Sequence, residues 1–244
     1  MKLRVVFNGS VPKEDGLAAT NDDSVMADEE RQRFVVTDGA SESYDPGRWS
    51  RLVAKNWIDA EPKKVRVMLR DGLRSSIRQY ELECDRVNLS WSKQGAYSRG
   101  SYSTLLGVSL EGDHVLVVAI GDSIVDGHPI DSAIRRFPDY SPEDFNRRPL
   151  LISTKHEMNL NLSRPRPFDG LVARWRLEVG CTLLLMTDAI GRWLVKQPVT
   201  TDARGQLTAF RTQDDFAAFV DAARESGEMK RDDTTLLHLR AESS

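Results

Sequence analysis

Apolar residues along this chain alternate between a two-residue and a three-to-four-residue rhythm, and each change of rhythm marks an element. Lys2–Phe7 reads as a first strand, and the stretch from Asn8 to Gly16 as turn-rich. Val25-Met26-Ala27 and Arg33–Val36 predict two strands that pair with each other. Pro46 then opens a helix whose apolar positions, Trp49, Leu52, Val53 and Trp57, share one face. A second, longer helix is predicted over Lys63 to Lys93, because Leu69, Leu73, Ile77, Tyr80, Cys84, Val87 and Trp91 are separated by 4, 4, 3, 4, 3 and 4 residues. Gly95 is its predicted end. Arg66, Arg70, Arg74 and Arg78 run beside that stripe at i, i+4 spacing. We read them as the wet face of the helix, with a docking surface for an acidic partner as the alternative.

Strand rhythm returns in Ser103–Leu110 and His114–Ile120, which form a hairpin turning at Glu111-Gly112-Asp113. A sharp turn at Gly121-Asp122-Ser123 leads to a short strand through Val125. Residues 128–170 are richer in Pro and Arg and read as an excursion of short helices and loops, with a helix start at Ser141-Pro142-Glu143-Asp144. Leu171–Leu177 and Cys181–Met186 are strands, the second apolar enough to be buried on both faces. Ile190 to Val195 begins a helix. Thr212 to Asp215 resembles a capping box ahead of the buried face Phe216, Phe219, Val220 and Ala223. Asp232-Asp233-Thr234-Thr235 opens a last strand, Leu236–Leu239. Strands in hairpins with helices grouped between them predict an α+β fold with antiparallel sheets.

Composition narrows the function classes. A net charge of −3 leaves no global electrostatic footprint for nucleic acid. No apolar run approaches the roughly 20 residues of a membrane span, and Met1–Phe7 lacks the apolar core of a signal peptide. Cys84 and Cys181 form no metal-type cluster and are read as free thiols of a cytoplasmic protein. The 4 histidines are scattered, and neither a Gly-x-Ser-x-Gly elbow, a Walker loop nor a His-Glu-x-x-His motif is present.

The recurrent chemistry is acidic. Asp22/Asp23, Asp38, Asp122, Asp188 and Asp232 each stand at the edge of a β-type run beside small or turn-forming residues. Any one of them fits an ordinary surface turn. Recurring within one domain, they predict a converging carboxylate cage for hard cations, Mg2+ or Mn2+, since oxygen-only ligands do not suit zinc. Two such ions roughly 3.5–4 Å apart activate water for displacement at phosphorus without a side-chain nucleophile.

In this order the motifs resemble those of the metal-dependent protein phosphatases (PPM, type 2C). Asn21-Asp22-Asp23-Ser24 is similar to the family's opening acidic pair, and Phe34-Val35-Val36-Thr37-Asp38-Gly39 to its Asp-Gly strand end. Ser103-Thr104-Leu105-Leu106-Gly107, Gly121-Asp122-Ser123, Met186 to Ile190 and Asp232-Asp233-Thr234-Thr235 follow in the family's sequence. The resemblance spans about Asn8 to Leu239 and is weakest in 128–170. It implies a four-layer α-β-β-α sandwich with two central antiparallel sheets, formed by residues 1–244 as a single phosphatase-like domain. It also implies that Asp38 bridges two Mg2+ or Mn2+ ions, with Asp188 and Asp232 on one side and Asp22 and the Gly39 carbonyl on the other. Asp23 would orient water, and Asp122 with Asp188 would form a third, weaker site. The implied reaction is hydrolysis of phosphoserine or phosphothreonine on a protein, in a system that includes a partner kinase.

Three positions depart from the family. Ala18 stands where many members carry a phosphate-binding Arg, with Lys13 as the nearest substitute. Ala40 replaces a His, and Ala189 replaces a Gly. They leave two alternatives: a weak or inactive phosphatase-like binding module, or a phosphatase of a small-molecule ester.

Overall fold

The computed structural model describes residues 1–14, 20–61, 64–84, 89–128, 134–163, 168, 170–198 and 200–243. Two 5-stranded antiparallel sheets are built from the predicted hairpins. The first has the order β1 (Lys2–Val11), β12 (Thr234–Glu242), β11 (Thr182–Met186), β7 (Ile124–His128), β8 (Arg135–Phe137). The second has the order β10 (Val172–Arg176), β6 (His114–Ile120), β5 (Leu105–Glu111), β3 (Arg33–Thr37), β2 (Ser24–Asp28). A small pair, β4 (Tyr102–Ser103) and β9 (Ile152–Ser153), lies apart from both.

Three apolar clusters define the layers. Between the sheets, Leu3, Phe34, Val36, Val108, Val117, Leu183, Leu185, Leu237 and Leu239 interdigitate. The outer face of the second sheet is covered by α1 (Pro46–Asp59) and α2 (Val65–Glu83), whose Trp49, Val53, Trp57 and Met68 meet Val35, Leu105 and Val118. The outer face of the first sheet is covered by α4 (Asp188–Lys196), α5 (Ala203–Ala209) and α6 (Gln213–Glu225) through Ile190, Trp193, Leu207, Phe216 and Val220. This is the predicted α-β-β-α sandwich. Its close approach on one side depends on Gly107, where an added Cβ would stand 2.4 Å from the Trp57 ring.

The predicted cap of α6 is present: the Thr212 side chain accepts from the Asp215 N–H at 3.2 Å. Cys84 and Cys181 are buried free thiols. Among the described residues no helix is long and apolar enough to cross a membrane.

Four expectations are corrected. Strand β1 does not stop at Phe7 but runs to Val11, into the stretch read as turns. Its register shifts between Val5 and Phe7, a bulge that turns Phe7 and Val11 toward the helices while Leu3 faces the other sheet. The long helix is two, α2 and α3 (Trp91–Arg99), of which Lys63 and Val87 lie outside the described residues. Trp91 is 90% exposed rather than part of a buried stripe. Gly95 lies inside α3, and Gly100, at φ 91°, ends it. The arginines of α2 are exposed, as expected of a wet face.

His238 in β12 is 3% exposed, lies opposite Phe7 and Leu184, and has neither ring nitrogen hydrogen-bonded. Burial, aided by Arg211 and Arg240, pulls its pKa down to about 4. The folded protein keeps it neutral while the unfolded chain protonates it below about 6.5, so stability falls as pH drops from about 6.5 toward 4. The loss attributable to this one group is on the order of 3 kcal/mol at most. Urea unfolding of wild type and His238→Leu across that window should show the variant gaining on wild type as pH falls. A constant difference would refute the assignment.

Candidate metal centre

Antiparallel register brings the acids together. Ser24, the start of β2, pairs with Thr37, the end of β3, so Asp22 and Asp23 precede one strand where Asp38 follows its neighbour. In the other sheet the end of β1 meets the start of β12 at Val11 and Thr234. The end of β11 meets the starts of β12 and β7 through Met186, Leu236 and Ile124. Asp232, Asp188 and Asp122 therefore leave that sheet at one end.

Hydroxyls hold the acids in place across the two sheets. The Asp38 N–H donates to Thr104 Oγ1 at 2.8 Å, and the Thr104 N–H donates to the Asp38 carbonyl at 2.8 Å. Thr104 Oγ1 is in turn 3.0 Å from Ser123 Oγ, which ties the Asp38 turn to the Asp122 turn. Thr187 Oγ1 donates to Asp23 Oδ2 at 3.1 Å and accepts from the Thr235 N–H at 2.9 Å. The Asp22 carbonyl accepts from the Gly39 N–H at 3.1 Å and from Ser50 Oγ at 2.6 Å. A Cβ on Gly39 would stand 2.7 Å from the Pro46 carbonyl and 2.9 Å from that of Asp22, so only glycine fits beside Asp38.

The carboxylates raise one another's pKa. Asp38 is pushed well above the usual range by burial and then by Asp23, Asp188, Asp122 and Asp232. Asp23 is raised by burial and by Asp233 and Asp188, against the hydroxyls that bond it. Asp122 is pushed up to about 7 by burial and Asp188. Asp188 is raised by burial with Lys230 opposing, and Asp22 by burial with Lys13 opposing. Asp23 Oδ1 and Asp188 Oδ1 are buried without a hydrogen-bond partner. Among the described residues, no three His, Cys, Asp or Glu side chains close into a ligand set around one point. Crowded, mutually repelling oxygens with orphaned lone pairs are nevertheless the donor chemistry that a hard divalent cation satisfies.

Asp233, Arg224, Lys230 and Tyr140 lie beyond the predicted set and, with the predicted Lys13, complete the site. Asp233, 3% exposed, accepts from the Lys13 N–H at 2.7 Å and the Asp22 N–H at 2.9 Å, joining β1, the Asp22 turn and β12. Its only sequence signal was its place beside Asp232. Arg224, buried on α6, donates to the Pro12 carbonyl at 3.0 Å and to the Asp232 carbonyl, and pins both chain segments to the helix. Lys13 Nζ lies 3.2 Å from Asp22 Oδ2, 2.7 Å from Ser41 Oγ and 3.9 Å from Asp233 Oδ2. Lys230 Nζ lies 2.5 Å from Asp232 Oδ2 and 3.6 Å from Asp188 Oδ2. The 128–170 excursion reaches the site through Tyr140, whose hydroxyl donates to the Gly121 carbonyl at 3.1 Å. Ala18 lies outside the described residues.

No family model matches this chain, and no curated protein matches it in sequence. Solved structures do match in fold. The catalytic domain of the serine/threonine protein phosphatase PstP in complex with 2 manganese ions superposes with a TM-score of 0.62 at 17% identity, covering 99% of each chain. The Mycobacterium tuberculosis serine/threonine phosphatase PstP/Ppp gives 0.62 at 18% identity over 100% of each chain. The PPM Ser-Thr phosphatase MsPP from Mycobacterium smegmatis, in complex with cacodylate, gives 0.55 at 18% identity over 98% of this chain and 99% of that one. The chain therefore shares the fold of solved PPM Ser/Thr phosphatases.

Proposed function

We propose that this chain is a Mg2+- or Mn2+-dependent phosphatase of phosphoserine and phosphothreonine on proteins, acting as one domain over residues 1–244. The observation that carries the reading is the gathering of Asp22, Asp23, Asp38, Asp122, Asp188 and Asp232 at one end of the sheets, with orphaned oxygens on Asp23 and Asp188. Bound divalent ions would supply Lewis acidity to the water nucleophile and to the phosphoryl oxygens. Asp38 would bridge, with Asp188 and Asp232 on one side and Asp22 and the Gly39 carbonyl on the other. Asp122 would serve a third, weaker position with Asp188, while Asp23, fixed by Thr187, orients water. Lys13 is the cation nearest the Asp22 side and is assigned to the substrate phosphate, as a point charge rather than a bidentate grip. Ala40 offers no proton, so the leaving oxygen takes its proton from solvent.

A second reading is a phosphatase-like binding module. It is favoured by the ion pairs in which Lys13 and Lys230 already engage Asp22, Asp233, Asp188 and Asp232. One assay separates the readings. Phosphate release from phosphoserine and phosphothreonine peptides, a phosphotyrosine peptide and phosphorylated metabolites is measured with Mn2+, Mg2+ or chelator. Metal-dependent turnover of the first two supports the enzyme; release from metabolites alone would redirect the substrate, and release from none would favour the module.

A further inference from the structure

Lys230 is a cation that the fold delivers into the acids from an anchored segment. Met229, buried among the residues that cover the first sheet, donates its N–H to the Ala223 carbonyl at 2.9 Å. On the other side of Lys230, the Asp232 carbonyl is held by the Arg224 guanidinium. The backbone of 229–232 is therefore pinned at both ends to α6. The Lys230 side chain is 52% exposed, and its Nζ reaches both Asp188 Oδ2 and Asp232 Oδ2.

Those two carboxylates are the ones assigned above to one side of the divalent centre, and the inference rests on that assignment. An ammonium 2.5 Å from Asp232 Oδ2 and 3.6 Å from Asp188 Oδ2 neutralises the same two carboxylates that a metal ion would. Simultaneous occupancy would place like charges within a few ångströms of each other, where they repel. The exposed stem lets the ammonium swing into solvent without disturbing Met229 or the sheet beneath.

We propose that Lys230 is a tethered counter-ion that holds the Asp188–Asp232 side in the absence of metal, so that metal uptake there is an exchange of ammonium for divalent ion. Lys230 thereby sets the metal affinity of the site and keeps the metal-free acids from repelling one another. Its ion pairs are made on that side. Lys13 lies against Asp22 and Asp233 and is not part of the exchange.

The test is Mn2+ binding to the full chain, measured by calorimetry and by loss of the free Mn2+ resonance in electron paramagnetic spectra. Wild type, Lys230→Gln, Lys230→Met and Lys230→Arg are compared. The neutral variants should bind Mn2+ about tenfold more tightly. They should also melt several degrees lower than wild type in chelator. Lys230→Arg, which keeps the charge, should follow wild type in both. Equal or weaker Mn2+ binding by both neutral variants would overturn the role of Lys230 and leave the metal centre standing. If none of the four proteins binds Mn2+, the metal centre and the exchange fall together. Binding by the neutral variants alone would show Lys230 to be a complete block, the strongest form of the proposal.

Discussion

Asp38→Asn should remove metal-dependent phosphate release, by about 10^3-fold or more, while making the metal-free protein harder to melt. The two effects share a cause. Burial and the charges of Asp23, Asp188, Asp122 and Asp232 all oppose ionisation of Asp38. An amide of the same shape ends that repulsion and stabilises the metal-free fold by roughly 1–3 kcal/mol, equivalent to several degrees in Tm. The same amide cannot bridge two cations. The sign with pH follows. Asp38, Asp23, Asp122 and Asp188 titrate higher in the folded chain, so their contribution to metal-free stability is greatest below about pH 4. It declines as pH rises through the folded pKa values, to about 7 for Asp122. That decline should be shallower in Asp38→Asn. Thermal melts in chelator from pH 5 to 8, beside phosphate-release assays with Mn2+, measure both effects. Undiminished release by the variant would remove Asp38 from the mechanism.

The largest loss of stability is expected at Arg224. It is buried beneath the site and donates to the carbonyls of Val11, Pro12 and Asp232 and to Thr234 Oγ1 at 3.2 Å. Arg224→Leu removes all of these bonds at once, leaving the Asp232 carbonyl only the Thr234 hydroxyl, and should destabilise by about 3–5 kcal/mol, or roughly 10 °C. Arg224→Lys should recover little, because one ammonium cannot span a helix, two strand ends and the Asp232 segment. Mn2+ affinity should fall with stability, since this guanidinium bonds both the Asp232 carbonyl and the Pro12 carbonyl next to Lys13. Urea midpoints and Mn2+ titrations of both variants are the measurement. An unchanged midpoint for Arg224→Leu would show that the bonds contribute nothing net.

Residues whose meaning is local were legible. Strand pairing of Val25–Ala27 with Arg33–Val36, the hairpin at Glu111-Gly112-Asp113 and the helix opened by Pro46 all follow from side-chain period and turn chemistry within a few residues. The acids at strand ends were legible for the same reason, because a carboxylate beside a turn is visible in the chain itself. The reading failed where a distant partner decides. The periodicity of 69–91 continued smoothly into Trp91, yet α2 ends at Glu83, and in α3 it is Tyr97 that packs on the cluster while Trp91 is exposed. The bulge that turns Phe7 outward depends on the register of β1 against β12, more than 200 residues away in sequence.

What the sequence by itself determined was the alternation of strands and helices, the α+β class with antiparallel sheets and which acids stand at strand ends, since each of these is set by neighbours along the chain. Only the tertiary structure decided how those acids are neutralised. Asp233 bridges the Asp22 turn to β12, Arg224 clamps the segment beneath, and Lys13 and Lys230 approach from opposite sides. Coulomb forces and hydrogen bonds act through space over a few ångströms, and the side chains they join are separated by up to 220 residues along the chain.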